Sequence, residues 1–298
     1  MRVLILGATG RLARLTATWL TERQPDIVLR LASHRERGCS TLREAFPQAD
    51  IVLADWYQEA SLAGALDQVD KVVMITPDGS DERVATSNVI KAALGYGRLT
   101  QLIRLIASPP GLTINDLTKE QLATRTGATL TVIAKPLLDA SGLPVTYVNV
   151  PCWIMFNLRW LVSRDKAGHL RIEMPSVSDY PRLWMSETDI AEVFATLLAG
   201  NAKRQIGQEY VLTGESRYTY AELAAVLSEA LGQPVAYVDS DAGLRESRGE
   251  DFGAFMTYLS HEVPAYTAVP MTRTVEKLLA HPPLGLREYV NRNRHWFA

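Results

Sequence analysis

The residues with the clearest chemical potential follow a short apolar run, residues 3–6, at the start of the chain. Gly7, Gly10 and Ala13 have the spacing of the loop that joins a strand to a helix in dinucleotide-binding proteins. The first glycine permits the tight turn, the second lets the backbone approach the phosphates, and the alanine keeps the helix close to the sheet. The N–H groups at the start of the helix then face the anion. The residues predicted to hold a dinucleotide pyrophosphate are Gly7, Thr9, Gly10, Arg11, Leu12 and Ala13.

An ordinary corner between a strand and a helix can carry the same three small residues by chance. The position of the motif argues for nucleotide binding, because it follows the first strand directly. It also precedes an amphipathic stretch that includes Leu15, Trp19 and Leu20, as expected of a helix that packs on a sheet.

The end of the second predicted strand bears on the choice between NAD and NADP. An NAD site usually has an acidic side chain here, which binds the ribose 2′-hydroxyl. In this chain His34 and Arg35 come first, and Glu36 lies further out between two arginines. A guanidinium is always charged and can hold a phosphate through two hydrogen bonds, so Arg35 favours the 2′-phosphate of NADP, with Arg11 able to join it. The alternative is that these arginines form only a solvated face.

Two further strand ends carry residues that we expect near the nucleotide. Asp55 follows the third predicted strand, where its carboxylate could accept a hydrogen bond from the adenine amino group. It could equally cap a turn into the next helix, and both interpretations stay open. Thr76 and Pro77 follow the fourth strand, beside the expected path of the pyrophosphate and the nicotinamide ribose, where we expect backbone contacts.

Short apolar runs alternate with helical patterns through the first half of the chain. The predicted strands are residues 3–6, 27–32, 51–53, 71–75, 101–107 and 145–150, and the predicted helices are residues 12–21, 39–45, 59–66, 81–94 and 135–140. Nearly continuous apolar strands between helices predict an α/β fold, a doubly wound parallel Rossmann sheet covered on both faces. Ligands of such sheets bind at the carboxyl ends of the strands.

Beyond Pro151 the pattern changes to an aromatic segment, a loop-rich segment and further helices. The predicted helices are residues 187 or 188 to 198, 220–231, 253–259, 271–279 and 286–297. Ser186 or Thr188 can cap the first of them, and Gly232 is placed to end the second. We therefore predict an NAD(P)-binding domain of residues 1–150. A smaller, mostly helical substrate lobe of residues 151–298 is expected to pack on the carboxyl edge of the sheet.

The composition limits the classes of partner. A formal net charge of −2 gives no electrostatic case for direct binding of nucleic acid or of an anionic membrane. Cys39 and Cys152 are far apart and form no metal-ligand spacing, so we expect no metal site and a reducing compartment. No apolar run approaches the ~18 residues of a membrane span, and the chain begins on a strand rather than a signal peptide, so we expect a cytoplasmic protein.

Several blocks of the sequence resemble the NmrA-like group of atypical short-chain dehydrogenases. Besides the glycine motif, the blocks are Ala54-Asp55 and residues 72–77, 141–148, 156–158, 188–191, 210–214 and 220–224. The resemblance covers nearly the whole chain and implies a Rossmann fold that binds NADP. The group includes quinone and triphenylmethane reductases, isoflavone and related ether reductases, and redox-sensing regulators that bind NADP without turning it over. The resemblance therefore leaves the reaction undecided.

Typical short-chain dehydrogenases place a lysine four residues after a tyrosine, and the lysine lowers the pKa of the phenol. No tyrosine of this chain is followed by lysine at that spacing. The resemblance to the isoflavone-reductase branch implies a lysine near Thr131 or Ile133, and the nearest one is Lys135. Because Lys135 precedes Pro136 at a predicted helix start, it could instead be merely solvated. Ser108, at the end of the fifth strand, could bond a substrate carbonyl or simply end the strand.

These residues predict NADPH-dependent reduction of a small, flat electrophile such as a quinone, since the cofactor carries the chemistry of hydride transfer. Side chains that could line an apolar pocket for such an acceptor, or lie in the core, are Trp153, Ile154, Met155, Phe156, Trp160 and Trp184. The missing Tyr–Lys pair motivates an alternative, a non-catalytic NADP sensor that acts through a protein partner. The same absence argues against a sugar-nucleotide epimerase.

Overall fold

The structure, a computed structural model, describes residues 1–297 except for the side chains of Val263 and Pro264. It contains two compact units, each built from separated segments of the chain. Unit 1 consists of Met1–Ser108, Arg125–Asn149 and Ile190–Val211, and unit 2 consists of Pro109–Thr124, Val150–Asp189 and the chain from Leu212 onward. Within the described residues, no helix has the length and hydropathy that crossing a membrane requires.

The secondary structure mixes strands and helices throughout. The strands are β1 (Arg2–Leu6), β2 (Val28–Ser33), β3 (Asp50–Leu53), β4 (Lys71–Met74), β5 (Gln101–Ile106), β6 (Val145–Asn149), β7 (Trp153–Ile154), β8 (Val162–Arg164), β9 (Leu170–Met174), β10 (Arg182–Met185), β11 (Glu209–Val211), β12 (Arg217–Tyr218) and β13 (Val235–Asp239). The α-helices are α1 (Arg11–Arg23), α2 (Glu36–Ala45), α3 (Glu59–Leu66), α4 (Glu82–Tyr96), α5 (Lys119–Ala123), α6 (Ala128–Asp139), α7 (Leu158–Leu161), α8 (Glu187–Ala199), α9 (Tyr220–Leu231), α10 (Ala242–Arg248), α11 (Phe252–Thr267), α12 (Thr274–Leu279) and α13 (Leu286–Arg292).

Unit 1 is organised around a seven-stranded sheet in the order β11-β6-β5-β4-β1-β2-β3, in which every neighbouring pair is parallel. Strand β4 is buried along its whole length, as expected when helices cover both faces. The predicted doubly wound Rossmann sheet is therefore confirmed. The strand order reverses at β1, so the crevice for a ligand lies where β1 and β4 end.

Strand β11 is the one member of this sheet that the sequence patterns do not predict. It has only three residues, pairs with β6, and has an exposed first residue, Glu209. Such a short strand has too few alternations to give a period, so its place at the sheet edge depends on contacts made in three dimensions.

Unit 2 has a core in which aromatic and aliphatic side chains from strands and helices meet, including Trp153, Trp184, Tyr220 and Tyr289. Besides its helices it contains two three-stranded sheets, β12-β10-β7 and β13-β9-β8. Helix α9 begins and ends where predicted, and Gly232 closes it in the left-handed conformation, with φ of 71°.

The prediction that a helix starts at Lys135 is wrong. Helix α6 begins at Ala128, so Lys135 and Pro136 lie well inside it. Proline disfavours the helical conformation of the residue before it and removes one backbone hydrogen bond. Burial of Leu130, Val132 and their neighbours on α6 outweighs this local cost.

Unit 2 also carries a buried histidine from which a pH dependence follows. His261 on α11 is 6% exposed, and its Nε2 has no hydrogen-bond partner within the described residues. Burial lowers the pKa of this imidazole from its ordinary value, because the fold disfavours the charged form. The stabilisation from a neutral His261 is therefore complete above the unfolded-state pKa of about 6.5, and it is lost as the pH falls through that value towards the lowered folded-state pKa.

We expect the free energy of unfolding to decrease more steeply between about pH 7 and pH 5 in the wild type than in His261→Leu, which cannot titrate at this position. Urea unfolding at a series of pH values measures both slopes. Identical slopes would show that the protonation of His261 is not coupled to folding.

Candidate nucleotide-binding site

The site is centred on the turn between β1 and α1. Gly7 has a φ of 72°, in the left-handed region that favours glycine. The N–H of Gly10 donates to the Gly7 carbonyl at 3.0 Å, and Gly10 is the N-cap of α1 without a capping side chain. Thr9, Gly10 and Arg11 are exposed, whereas Leu12 and Ala13 are buried. The exposed residues are therefore open to a ligand, and the buried pair packs the helix on the sheet.

Gly7 is enclosed by two groups from segments that follow other strands, β4 and β3. A Cβ atom on Gly7 would lie 3.1 Å from the carbonyl oxygen of Ile75 and 3.2 Å from the ring of Trp56. A Cβ atom on Gly10 would meet only the Gly7 carbonyl, at 3.4 Å, among the described residues. Gly7 thus lets Ile75 and Trp56 pack against the turn. Gly10 leaves an opening beside the N-terminus of α1. Trp56 was not predicted as a site residue. Its position directly after Asp55 is the feature of the sequence that could have indicated it.

The end of β2 is held by a short hydrogen-bonded loop. The buried Ser33 hydroxyl accepts from the Arg35 N–H at 3.2 Å and lies 3.1 Å from the Arg35 carbonyl, to which it donates. A Cβ atom on Gly38 would lie 2.2 Å from this hydroxyl oxygen and 2.9 Å from the methyl group of Thr9. Gly38 therefore brings the start of α2 against both the β2 end and the glycine turn. Neither Ser33 nor Gly38 was predicted as a site residue.

The charges at the start of α2 leave Arg35 available to an anion. His34 and Arg35 are both exposed. The Glu36 carboxylate lies 3.9 Å from the guanidinium of Arg43. Arg43 is in the last turn of α2, at the opposite end of the helix from Arg35. No carboxylate of the described residues lies within ion-pair distance of Arg35.

Three of the predicted residues, His34, Asp55 and Pro77, line one cavity of 230 Å³. The other lining residues are Trp56, Tyr57, Asp78, Gly79 and Ser80. Tyr57 spans one side of it, because its hydroxyl accepts from the N–H of Asp81 at 3.0 Å. The ends of β2, β3 and β4 thus contribute to a single recess in unit 1.

Asp55 has the geometry of a turn cap. One carboxylate oxygen accepts from the Tyr57 N–H at 2.9 Å, and the other lies 3.4 Å from the side-chain nitrogen of Gln58. Its backbone N–H and carbonyl bond the hydroxyl of Ser61 on α3. Asp55 therefore fixes the entry into α3 while its side chain also borders the cavity.

The Thr76 side chain is held by a buried ion pair, which the sequence patterns did not reveal. Its hydroxyl donates to Glu82 at 2.6 Å and accepts from Arg104 at 2.7 Å. Arg104 and Glu82 lie 2.9 Å apart, and their side chains are 3% and 0% exposed. Burial lowers the pKa of Arg104, and the Glu82 carboxylate opposes that effect. Arg104 could not be recognised from sequence because its immediate neighbours in β5 are apolar and predict only a buried strand.

The two residues predicted as catalytic have separate partners. Lys135 forms an ion pair with Asp139 at 2.8 Å and lies 4.4 Å from the ring centre of Tyr147, whose hydroxyl also donates to Asp139. The buried Ser108 is tied through its backbone N–H and carbonyl to the side chain of Asn149. No hydrogen bond between described residues joins Lys135 to Ser108.

Thr131 has a structural contact at the position where the resemblance implied a lysine. Its buried hydroxyl oxygen accepts from the N–H of Ala107, which ties α6 to the end of β5. Among the candidates in unit 2 for lining an apolar pocket, Trp153, Met155 and Trp184 lie in the core, whereas Trp160 is 40% exposed.

Sequence comparison finds reductases among the proteins that are similar to this chain. The (4-alkanoyl-5-oxo-2,5-dihydrofuran-3-yl)methyl phosphate reductase of Streptomyces griseus is 28% identical over 238 residues, which cover 79% of this chain and 76% of the reductase. Quinone oxidoreductase 2 of Escherichia coli is 25% identical in an alignment that covers 97% of each chain.

Solved structures extend the comparison to the fold. The NADPH complex of the same E. coli quinone oxidoreductase has a TM-score of 0.73 and 23% identity, covering 99% of this chain and 100% of that one. NmrA, a negative transcriptional regulator solved with NADP, has a TM-score of 0.75 and 17% identity, covering 97% of this chain and 94% of NmrA.

The resemblance drawn from the sequence blocks is confirmed by the sequence model of the NmrA-like family, which matches residues 1–243. That match includes the glycine turn, the cavity and the buried ion pair, as well as the first strands and helices of unit 2. The protein therefore belongs to the NmrA-like family.

Proposed function

We propose that this protein is an NADPH-dependent oxidoreductase that reduces a small, flat electrophile such as a quinone. The single observation that carries the proposal is the open N-terminus of α1 beside the Gly7 turn. No acidic residue lies in the first turn of α1, so its N–H groups and its dipole favour two phosphates. Gly7, Thr9, Gly10 and Arg11 would contact the pyrophosphate, and Leu12 and Ala13 would support them through backbone N–H groups and packing.

For the remaining parts of the nucleotide, unit 1 offers candidate partners. Arg35 would bind the 2′-phosphate of NADP, because it is exposed and lacks a carboxylate partner within the described residues. The adenine would enter the cavity bordered by His34 and Asp55, whose second carboxylate oxygen has only a long contact with Gln58, at 3.4 Å. The backbone of Thr76 and Pro77 would lie along the pyrophosphate and the nicotinamide ribose.

Bound NADPH would supply the hydride, and a quinone that accepts it would take its proton from water. The chain's own contribution is to bind and orient the nucleotide. This assignment needs no side-chain acid, which fits the ion pair that Lys135 forms with Asp139. The similarity to E. coli quinone oxidoreductase 2 over most of both chains supports a quinone as the first acceptor to try.

The test is the rate of NADPH oxidation by the purified protein against a panel of benzoquinones and naphthoquinones. Saturable turnover with any member supports the proposal. Tight binding of NADPH with no turnover across the panel contradicts it.

The second candidate is a non-catalytic NADP sensor, and the absence of a Tyr–Lys pair favours it. The similarity of fold to NmrA is in keeping with this possibility. A sensor would bind the oxidised or the reduced nucleotide without turnover, and a protein partner would be recovered with only one of the two forms. Recovery of the same partners with both forms would argue against it.

A further inference from the structure

The ion pair of Arg104 and Glu82 lies at the base of the loop that follows β4. Thr76 precedes this loop and Glu82 follows it as the first residue of α4, and the Thr76 hydroxyl donates to Glu82 at 2.6 Å. The loop between them, residues 77–81, provides four of the residues that line the cavity. The hydrogen bond therefore joins the two ends of a loop that borders the candidate site.

Arg104 fixes the hydrogen bond that joins the two ends of this loop. Its guanidinium donates to the Met74 carbonyl at 3.1 Å, to Thr76 at 2.7 Å and to Glu82 at 2.9 Å. The Thr86 hydroxyl donates to the same Glu82 oxygen at 2.6 Å. Since the Thr76 hydroxyl is used both as a donor and as an acceptor, its rotamer is fixed.

Stability alone does not account for the pair. Burying two charges costs desolvation, and apolar residues of similar volume often serve a core as well or better. Leu102, Ile103 and Ile106 of the same strand are such residues, and all three are buried. The presence of Arg104 in this strand, paired with Glu82 of α4, is thus better explained by the geometry that the pair imposes.

That geometry reaches the glycine turn through one residue. Ile75 lies between Met74 and Thr76, both of which bond Arg104. The Ile75 carbonyl oxygen is 3.1 Å from the position that a Cβ on Gly7 would occupy, so the strand end packs directly on the turn. A shift of a few tenths of an ångström at Thr76 would be passed to the glycine turn, which is proposed to bind the pyrophosphate.

We propose that the Arg104–Glu82 pair is a positioning device, which holds the β4 strand end through Thr76 and thereby sets the affinity for the dinucleotide. This inference rests on the proposed nucleotide binding. It adds residues that touch neither the nucleotide nor the reacting atoms but fix those that do.

The test uses Thr76→Val, which keeps the shape and removes the hydroxyl, with Thr76→Ser as the variant that keeps it. We expect Thr76→Val to raise the Kd for NADPH about tenfold and Thr76→Ser to change it by less than about twofold. In the reductase assay the KM for NADPH should rise with the same factor while kcat changes little.

Lys71→Met is the matched control for a general loss of stability. Lys71 begins the same strand β4, is buried at 3% exposure, and donates to the Leu198 and Gly200 carbonyls at 2.7 and 2.9 Å. It lies at the amino edge of the sheet, away from the glycine turn. We expect this variant to lower the free energy of unfolding without changing the Kd for NADPH.

Hydrogen exchange of the nucleotide-free protein gives a second readout. Thr76→Val should accelerate amide exchange in residues 77–81 and in the glycine turn, and Lys71→Met should not. The proposal is overturned if Thr76→Val leaves exchange and affinity unchanged, or if Lys71→Met weakens binding equally. If the wild type binds no NADPH, the proposed function fails, while the exchange data still decide whether the pair holds the turn.

Discussion

Arg35→Glu is expected to weaken NADPH binding by about 100-fold or more and to change NADH binding by less than about threefold. The substitution removes charge-assisted hydrogen bonds to the 2′-phosphate and places a negative charge beside it. NADH has no 2′-phosphate, so it should respond only to the general change of field. Calorimetric titration of both nucleotides measures the two affinities.

Arg43→Glu is the appropriate control for that general change. It lies in the last turn of the same helix, α2, and alters the net charge by the same amount. We expect it to affect the two nucleotides equally and weakly, because an exposed charge at that distance is largely screened. Equal losses of NADPH and NADH affinity in Arg35→Glu would refute the assignment of the 2′-phosphate to Arg35.

The second large effect is expected for Gly7→Ala. The left-handed φ of 72° disfavours any side chain, and the new methyl group would lie 3.1 Å from the Ile75 carbonyl, a backbone atom that cannot rotate away. We expect the free energy of unfolding to fall by about 1–3 kcal/mol. The Kd for both NADPH and NADH should rise at least about tenfold, because the turn must open to accept the methyl group.

Gly64→Ala provides the comparison. Gly64 lies within α3 and a Cβ there would meet nothing within 4 Å, so alanine should raise the free energy of unfolding by about 0.5–1 kcal/mol. Thermal unfolding and calorimetry on the two variants separate stability from affinity. A Gly7→Ala protein that binds both nucleotides like the wild type would exclude the turn as their site.

The sheet of unit 1 was predictable because its strands are apolar runs between helical patterns. Residues 59–66 were predicted as a helix, and α3 has those bounds. The start of α6 was not predictable, because the local penalty of Pro136 is outweighed by packing that only the folded chain reveals. Strand β11 was missed for a related reason, since its pairing with β6 joins residues far apart in the sequence.

In the candidate site, too, some residues were predictable from the sequence and others were not. His34, Asp55 and Pro77 were predicted from the ends of strands, and the structure brings them to one cavity. Arg104 was not predicted, because its contact with Thr76 joins β5 to the segment after β4 across 28 positions, and no spacing rule marks such a contact. Gly38 was missed because its importance comes from the nearness of Ser33 and Thr9.

Because each unit is built from separated segments of the chain, fragments and hybrids of this protein cannot be made with a single cut. A fragment that ended at residue 150 would lack β11, and with it the Glu209 carboxylate that bonds Asn149 at 2.7 Å. It would also lack the two carbonyls that accept hydrogen bonds from the buried ammonium group of Lys71. Replacing one unit with that of a relative therefore requires the exchange of three stretches of sequence together. In a hybrid joined at a single crossover, β6 and its edge strand β11 would come from different proteins.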